Sequence, residues 1–152
     1  MSVRVLSVGK PIGGDYKALV NEYEKRLTKQ FEIDWQFIPP SGRDKESARR
    51  AESDSLRSKL TASDFIVLCD ERGVELTTEA FAAKLESWSV SGRQVTLIIG
   101  GAYGVDDELR AQADMVWSLS KLVFPHEVVR LLIAEQLYRA QCVLSSHPYH
   151  HL

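Results

Sequence analysis

The sequence predicts an α/β fold, a mostly parallel sheet flanked by helices, and three observations carry that expectation. Short apolar runs alternate with longer stretches of helical spacing along the whole chain, the order that βαβ units produce. Two runs, "DFIVLCD" (Asp64–Asp70) and "QVTLIIG" (Gln94–Gly100), are continuously apolar, as strands covered on both faces are. At 152 residues the chain is of single-domain size (1–152) and long enough to bury a core without disulfides.

Taken in order, "VRVLSVG" (Val3–Gly9) is a strand stopped by glycine and then proline. "DYKALVNEYEKRLTKQ" (Asp15–Gln30) places Tyr16, Leu19, Val20, Tyr23 and Leu27 on one helical face, with Asp15 positioned as its cap. "FEIDWQFI" (Phe31–Ile38) alternates strictly, the pattern of a half-buried strand. After the loop "PPSGRD" comes "KESARRAESDSLRSKL", a helix with little apolar surface to dock. The run ending at Asp70 passes into a turn, "ERG", and a helix opens at Thr77 or Thr78 and closes near Gly92. The buried strand at 94–100 is followed by a short helix, "VDDELRAQA", a last strand, "DMVWSLS", and a long terminal helix from Pro125. Ligands of such sheets bind at the carboxyl ends of the strands.

Bulk properties exclude some function classes. No apolar run approaches the length of about eighteen residues needed for a membrane span, and the N-terminus lacks the core of a signal peptide. Cys69 and Cys142 sit in apolar surroundings without metal-ligand spacing, which fits free thiols in a reducing cytoplasm. A net charge of −2 argues against nucleic-acid binding by the chain as a whole. One local exception stands out: Arg43 to Lys59 holds six Lys/Arg against four Asp/Glu. A solvated helix face is its simplest reading. His147, His150 and His151 crowd the tail, but no acid or cysteine is spaced to complete a metal site with them.

The stretch "LIIGGAYG" (Leu97–Gly104) puts three glycines after a buried strand. A dinucleotide fingerprint fails because Ala102 stands where its second glycine belongs, and no Lys-Ser or Lys-Thr follows to make a phosphate loop. What is left is a tight turn or a backbone that a ligand can approach closely. "WSLSKLVFPHE" (Trp117–Glu127) alternates small polar with apolar residues before a helix start. Its exposed amides beside apolar walls suit an adenine-like ring. In the terminal helix Glu135 and Arg139 are four apart and form an i,i+4 pair. That helix is apolar most of the way round, so it needs more cover than one sheet supplies, and a second copy of the chain is a natural source.

These motifs together resemble the bacterial large-subunit ribosomal RNA pseudouridine N3-methyltransferases of the SPOUT class. The resemblance rests on IGG-x-x-G, S-x-S-x-x-x-x-PH, R-x-x-x-x-EQ-x-YRA and H-x-YH, in that order over roughly Leu97 to His151, and extends over essentially the whole chain. It implies an α/β domain with a C-terminal trefoil knot, acting as a homodimer on the assembled ribosome and its 23S RNA. S-adenosylmethionine is the implied methyl donor, and no metal is implied. Carried over by position, the donor contacts fall on Cys69, Gly100, Leu119, Ser120, Lys121, Leu122, Val123 and Phe124, the glycines serving close approach. Cys69 stands where the family usually has leucine, and His151 where its tail often has arginine. Glu135, Arg139 and Tyr149 are the residues expected to line the nucleotide. Arg130 or Arg139 is expected to favour an N3 anion, and Glu135 or His126 to accept its proton. A non-catalytic ribosome-binding module of the same fold is the alternative, and the failed fingerprint disfavours an oxidoreductase.

Overall fold

The computed structural model describes residues 1–150. Five strands, β1 (Ser2–Val8), β2 (Glu32–Ile38), β3 (Asp64–Glu75), β4 (Gln94–Ile99) and β5 (Met115–Ser118), form one sheet in the order β2-β1-β4-β3-β5. Every pairing is parallel, so the α/β fold expected from the alternation is the one observed. The connecting helices are α1 (Gly14–Arg26), α2 (Lys45–Arg57), α3 (Thr78–Val90), α4 (Asp107–Gln112) and α5 (His126–Leu144). None of them is long and apolar enough to cross a membrane.

The two faces of the sheet build separate cores. Val3, Val5, Val67, Val95, Leu97 and Ile99 pack under Phe81 and Leu85 of α3 and Ile133 and Leu137 of α5. On the other face, Leu6, Val8, Leu68 and Ile98 meet Leu56 of α2 and Leu109 of α4. Alternate residues of one strand thus serve opposite cores, which is why the runs read as continuously apolar. β2 forms one edge, and its alternation survives as exposed Glu32 and Asp34 between buried Phe31 and half-buried Ile33 and Trp35.

Three expectations need correction. Asp15 does not cap α1: Gly13 holds that position, Gly14 follows at φ 58°, and Asp15 lies in the first turn. The helix ends that do have side-chain caps are those of α3 and α4, where Thr77 accepts from the Ala80 amide at 3.1 Å and Asp106 from the Leu109 amide at 2.8 Å. Second, "DERG" is a bulge within a continuous β3 rather than a turn after it. Cys69 and Val74 both register against Trp117 of β5, so residues between them are pushed out of the ladder. Gly73 permits this, since a Cβ there would lie 2.5 Å from the Val116 carbonyl oxygen.

Third, α5 finds much of its cover inside its own chain, while Val128, Leu131, Leu132 and Val143 stay half-buried and Leu144 exposed. Ala134 packs with Ile12 and Val20 at α1, and Ile133, Leu137 and Ala140 pack against α3 and the sheet. The apolar girth of α5 is thus met in part by α1, α3 and the sheet. Arg130, in the middle of this apolar stretch, is 1% exposed. It is tolerated because its Nε donates to Ser7 Oγ at 2.8 Å and its Nη groups donate to the carbonyls of Lys10 (2.8 Å) and Val8 (3.3 Å). Its guanidinium also lies 4.8 Å from the centre of the Phe37 ring.

Candidate active site

An open cleft of about 640 Å³ lies at the carboxyl ends of β3, β4 and β5, the end where parallel sheets bind ligands. Its walls are the β3 bulge, the loop after β4 and the loop between β5 and α5. Cys69, Gly100, Leu119, Ser120, Leu122, Val123 and Phe124 all line it. Lys121 does not: its side chain is 90% exposed and points toward Glu75, 3.9 Å away. The loop is shaped locally, Ser118 Oγ donating to the Ser120 carbonyl (2.8 Å) and Ser120 Oγ accepting from the Leu122 amide (3.0 Å).

The glycines have reasons internal to the protein. A Cβ on Gly100 would lie 3.1 Å from Val105, and one on Gly101 would collide with Glu52 Oε1 of α2. Gly104 sits at φ 73°, the left-handed region that favours glycine. The stretch is thus a tightly folded turn packed on α2 and Val105, and its lining of the cleft follows from that turn. Glu52 is 6% exposed; its Oε2 accepts from the Ser41 amide at 2.9 Å while Oε1 has no partner among the described residues.

Charge at the cleft is concentrated in the β3 bulge. Asp70 accepts from the Arg72 amide at 2.9 Å and from the Arg72 and Arg110 side chains. Burial alone raises a carboxyl, but these donors outweigh it and bring Asp70 down to about 2. Beside it, burial and then the Asp70 charge push the Cys69 thiol up to about 12, so at neutral pH it is a neutral wall and no nucleophile. Asp70, Arg49 and Tyr103 also line the cleft, although no sequence motif pointed to them, and so does His126, expected as a proton acceptor. That residue is exposed on the first turn of α5, its ring against Gly9.

Glu135, Arg139 and Tyr149 come together elsewhere. Arg139 Nε donates to Glu135 Oε1 at 2.7 Å, Tyr149 Oη to the same oxygen at 3.3 Å, and Gln136 Nε2 to Oε2 at 2.6 Å. The Arg139 guanidinium lies 4.6 Å from the Tyr149 ring centre, and Tyr149 packs on Tyr138 at 4.7 Å. Burial, then a hydrogen bond with Tyr23 and the Glu135 charge, push the Tyr149 phenol up to about 12, so it is a proton donor at neutral pH. Burial opposes the Arg139 cation, but its bonds to Glu135 prevail and raise its pKa. His150 Nε2 meets Glu79 at 2.7 Å, which ties the tail to α3. His151 lies outside the described residues.

The two groups do not meet within one chain. Val129 is the last α5 residue on the cleft, and at 1.5 Å rise per residue Glu135 and Arg139 lie about 9 and 15 Å further along the helix axis. Arg130 joins neither group: buried against β1, it is an anchor for α5 rather than a group that can face a substrate anion.

Comparison with known proteins gives a consistent result. The family model described as "Predicted SPOUT methyltransferase" matches residues 1–150. The chain is similar to the curated ribosomal RNA large subunit methyltransferase H proteins of Methylobacillus flagellatus (40% identical), Paraburkholderia xenovorans (41%) and Marinomonas sp. (38%). Each alignment covers 99% of this chain and 99% of the relative.

Proposed function

The chain belongs to the SPOUT methyltransferase family, and we propose that it methylates N3 of a pseudouridine in 23S ribosomal RNA, on the assembled ribosome, as a cytoplasmic homodimer using S-adenosylmethionine. The observation that carries this reading is the cleft at the strand ends, walled by the Gly100–Gly104 turn and the Leu119–Phe124 loop. Its size is in the range of small-molecule sites. Apolar Leu119 and Phe124 and neutral Cys69 match an adenosine-bearing sulfonium better than a phosphate ligand. A trefoil knot belongs to the same reading, since it would bring the 100–104 and 119–124 segments side by side.

S-adenosylmethionine supplies an electrophilic methyl, so that transfer breaks its S–C bond, forms an N3–C bond and releases the N3 proton. The chain's part is to hold the reactants in line and to manage that proton. Alignment alone contributes on the order of 7–11 kcal/mol in favourable cases. Glu135 is the group we assign to take the proton, and Arg139 the cation that favours charge developing on the base. Tyr149, kept as a phenol, orients Glu135 by donating to it. In Cys69 the raised pKa has a protective effect, because a thiolate in this pocket would compete as methyl acceptor.

The separation of cleft and Glu135 cluster along α5 supports the homodimer: one copy's cleft would work with the other's cluster. The test supplies isotopically labelled donor and ribosomes carrying the unmodified pseudouridine and maps the labelled nucleotide. No transfer, with donor bound in calorimetric titration, would favour the non-catalytic module. Mixing a cleft-disabled chain with a Glu135-disabled chain should restore activity to about a quarter of wild type, the share of intact composite sites in randomly re-paired dimers. No restoration would place both halves in one chain.

A further inference from the structure

The basic run from Arg43 to Lys59 divides in two once folded. Arg57 is used internally, its Nη groups holding both Asp106 oxygens at 2.8 Å and also pairing with Asp54. Arg49 lies on the cleft wall, where its Nε donates to the Tyr103 carbonyl at 2.9 Å and its Nη1 pairs with Glu46. Arg43, Lys45 and Arg50 are exposed, and none forms an ion pair among the described residues. The acids between them are engaged elsewhere: Asp44 accepts from the Tyr103 hydroxyl at 3.1 Å, and Glu46 is held by Arg49. Asp44 keeps its charge under that hydroxyl, and Arg50 also feels Asp106. What remains beside the cleft is a rim with an excess of positive charge, on a loop tethered by Tyr103 at one point and by Glu52 to Ser41 at another.

We propose that Arg43, Lys45 and Arg50, with Arg49 at the cleft wall, receive backbone phosphates of the RNA strand that delivers the target nucleotide. The proposal rests on the ribosomal RNA methyltransferase reading and adds the surface by which the substrate is held. Charge complementarity points to nucleic acid, because a chain of net charge −2 needs its cations gathered where the polyanion lies. The rim exposes no aromatic or aliphatic anchor between its cations: residues 42–47 and Arg50 are polar or glycine, and Ala48 is buried. A protein partner would use such anchors, whereas phosphate contacts need only donors and charge.

Arg43→Gln, Lys45→Gln and Arg50→Gln, singly and combined, test it. Two readouts are needed: ribosome affinity by filter binding across a salt series, and KM for ribosomes with kcat and donor affinity alongside. The triple variant should bind ribosomes at least about tenfold more weakly at 0.1 M salt, with kcat and donor affinity within about twofold of wild type. Its log–log salt slope should fall by about 0.7–0.9 for each charge removed. Wild-type affinity and slope in the triple variant would overturn the proposal. So would weakened binding with an unchanged slope, which would assign the rim to a ribosomal protein. Filter binding requires no turnover, so a wild-type chain that transfers no methyl would refute the activity and leave the rim to be judged on its own readout.

Discussion

The cleft at the strand ends and the Glu135 cluster on α5 share only the first turn of that helix, and they are opposite kinds of site. The cleft is walled by main chain and by side chains kept neutral or locked, with Asp70 held by two arginines and Cys69 held as a thiol. In the cluster, Glu135 takes donors from Arg139, Gln136 and Tyr149 at once. A surface of the first kind offers shape and neutral walls and suits a ligand that brings its own charge. One of the second kind is a polarised network that acts when a substrate atom displaces one of its partners. Binding is thus assigned to the strand ends and their loops, and activation to the middle of α5.

The largest effect expected from this division is on turnover. Glu135→Gln or Arg139→Ala should lower kcat by about 10²–10³-fold, with donor affinity by calorimetry unchanged. A parallel loss of donor affinity would merge the two regions into one site. Next in size is Gly101→Ala, whose Cβ meets Glu52 Oε1. It should cost about 1–3 kcal/mol of stability and weaken donor binding about tenfold. Glu52→Asp, which withdraws that oxygen by one methylene, should recover most of both. No recovery in thermal denaturation would mean that the turn is fixed by something other than α2.

The third effect is a pH dependence. Asp70 is held down to about 2 when folded, against about 3.9 in an unfolded chain, which corresponds to about 2.6 kcal/mol of stability. Because the folded value is the lower, that stability is fully present above about pH 4 and is lost as pH falls toward 2. Asp70→Asn should therefore be destabilised by a similar amount at pH 7, and its denaturation midpoint should change less than the wild type's across that acid interval. An identical acid limb in both proteins would show that Arg72 and Arg110 contribute nothing through Asp70. The smallest effect belongs to Lys121→Ala. With its side chain turned to solvent, donor affinity should stay within about twofold, and a larger loss would show that the loop rearranges when it binds.

Much of this was legible in the sequence because it depends on local pattern. Continuous apolar runs gave central strands, and "SLSKLVFPHE" gave the loop that walls the cleft. The pairing of Glu135 with Arg139 follows from helical spacing alone. What was hidden depends on partners distant in the chain. Nothing near Gly73 announces that β5 passes so close that "DERG" must bulge. Arg130 reads as a reactive cation in an apolar helix until Ser7 and two β1-side carbonyls are brought to it. The separation of cleft and cluster was equally invisible, since sequence order places Phe124 and Glu135 close together.

The unpartnered Glu52 oxygen beneath Gly101 has a consequence for how this chain can change over generations. Gly101 keeps an ordinary backbone conformation, so its own geometry does not forbid a larger residue; a side chain some fifty positions earlier does. Mutational drift at 101 is therefore hindered while Glu52 stands and eased once position 52 shortens, with Val8 the remaining close neighbour at 3.2 Å. The order in which the two substitutions arise decides whether the intermediate survives. One of the three glycines in that motif is thus half of an epistatic pair, its second member lying on a helix the motif does not contain.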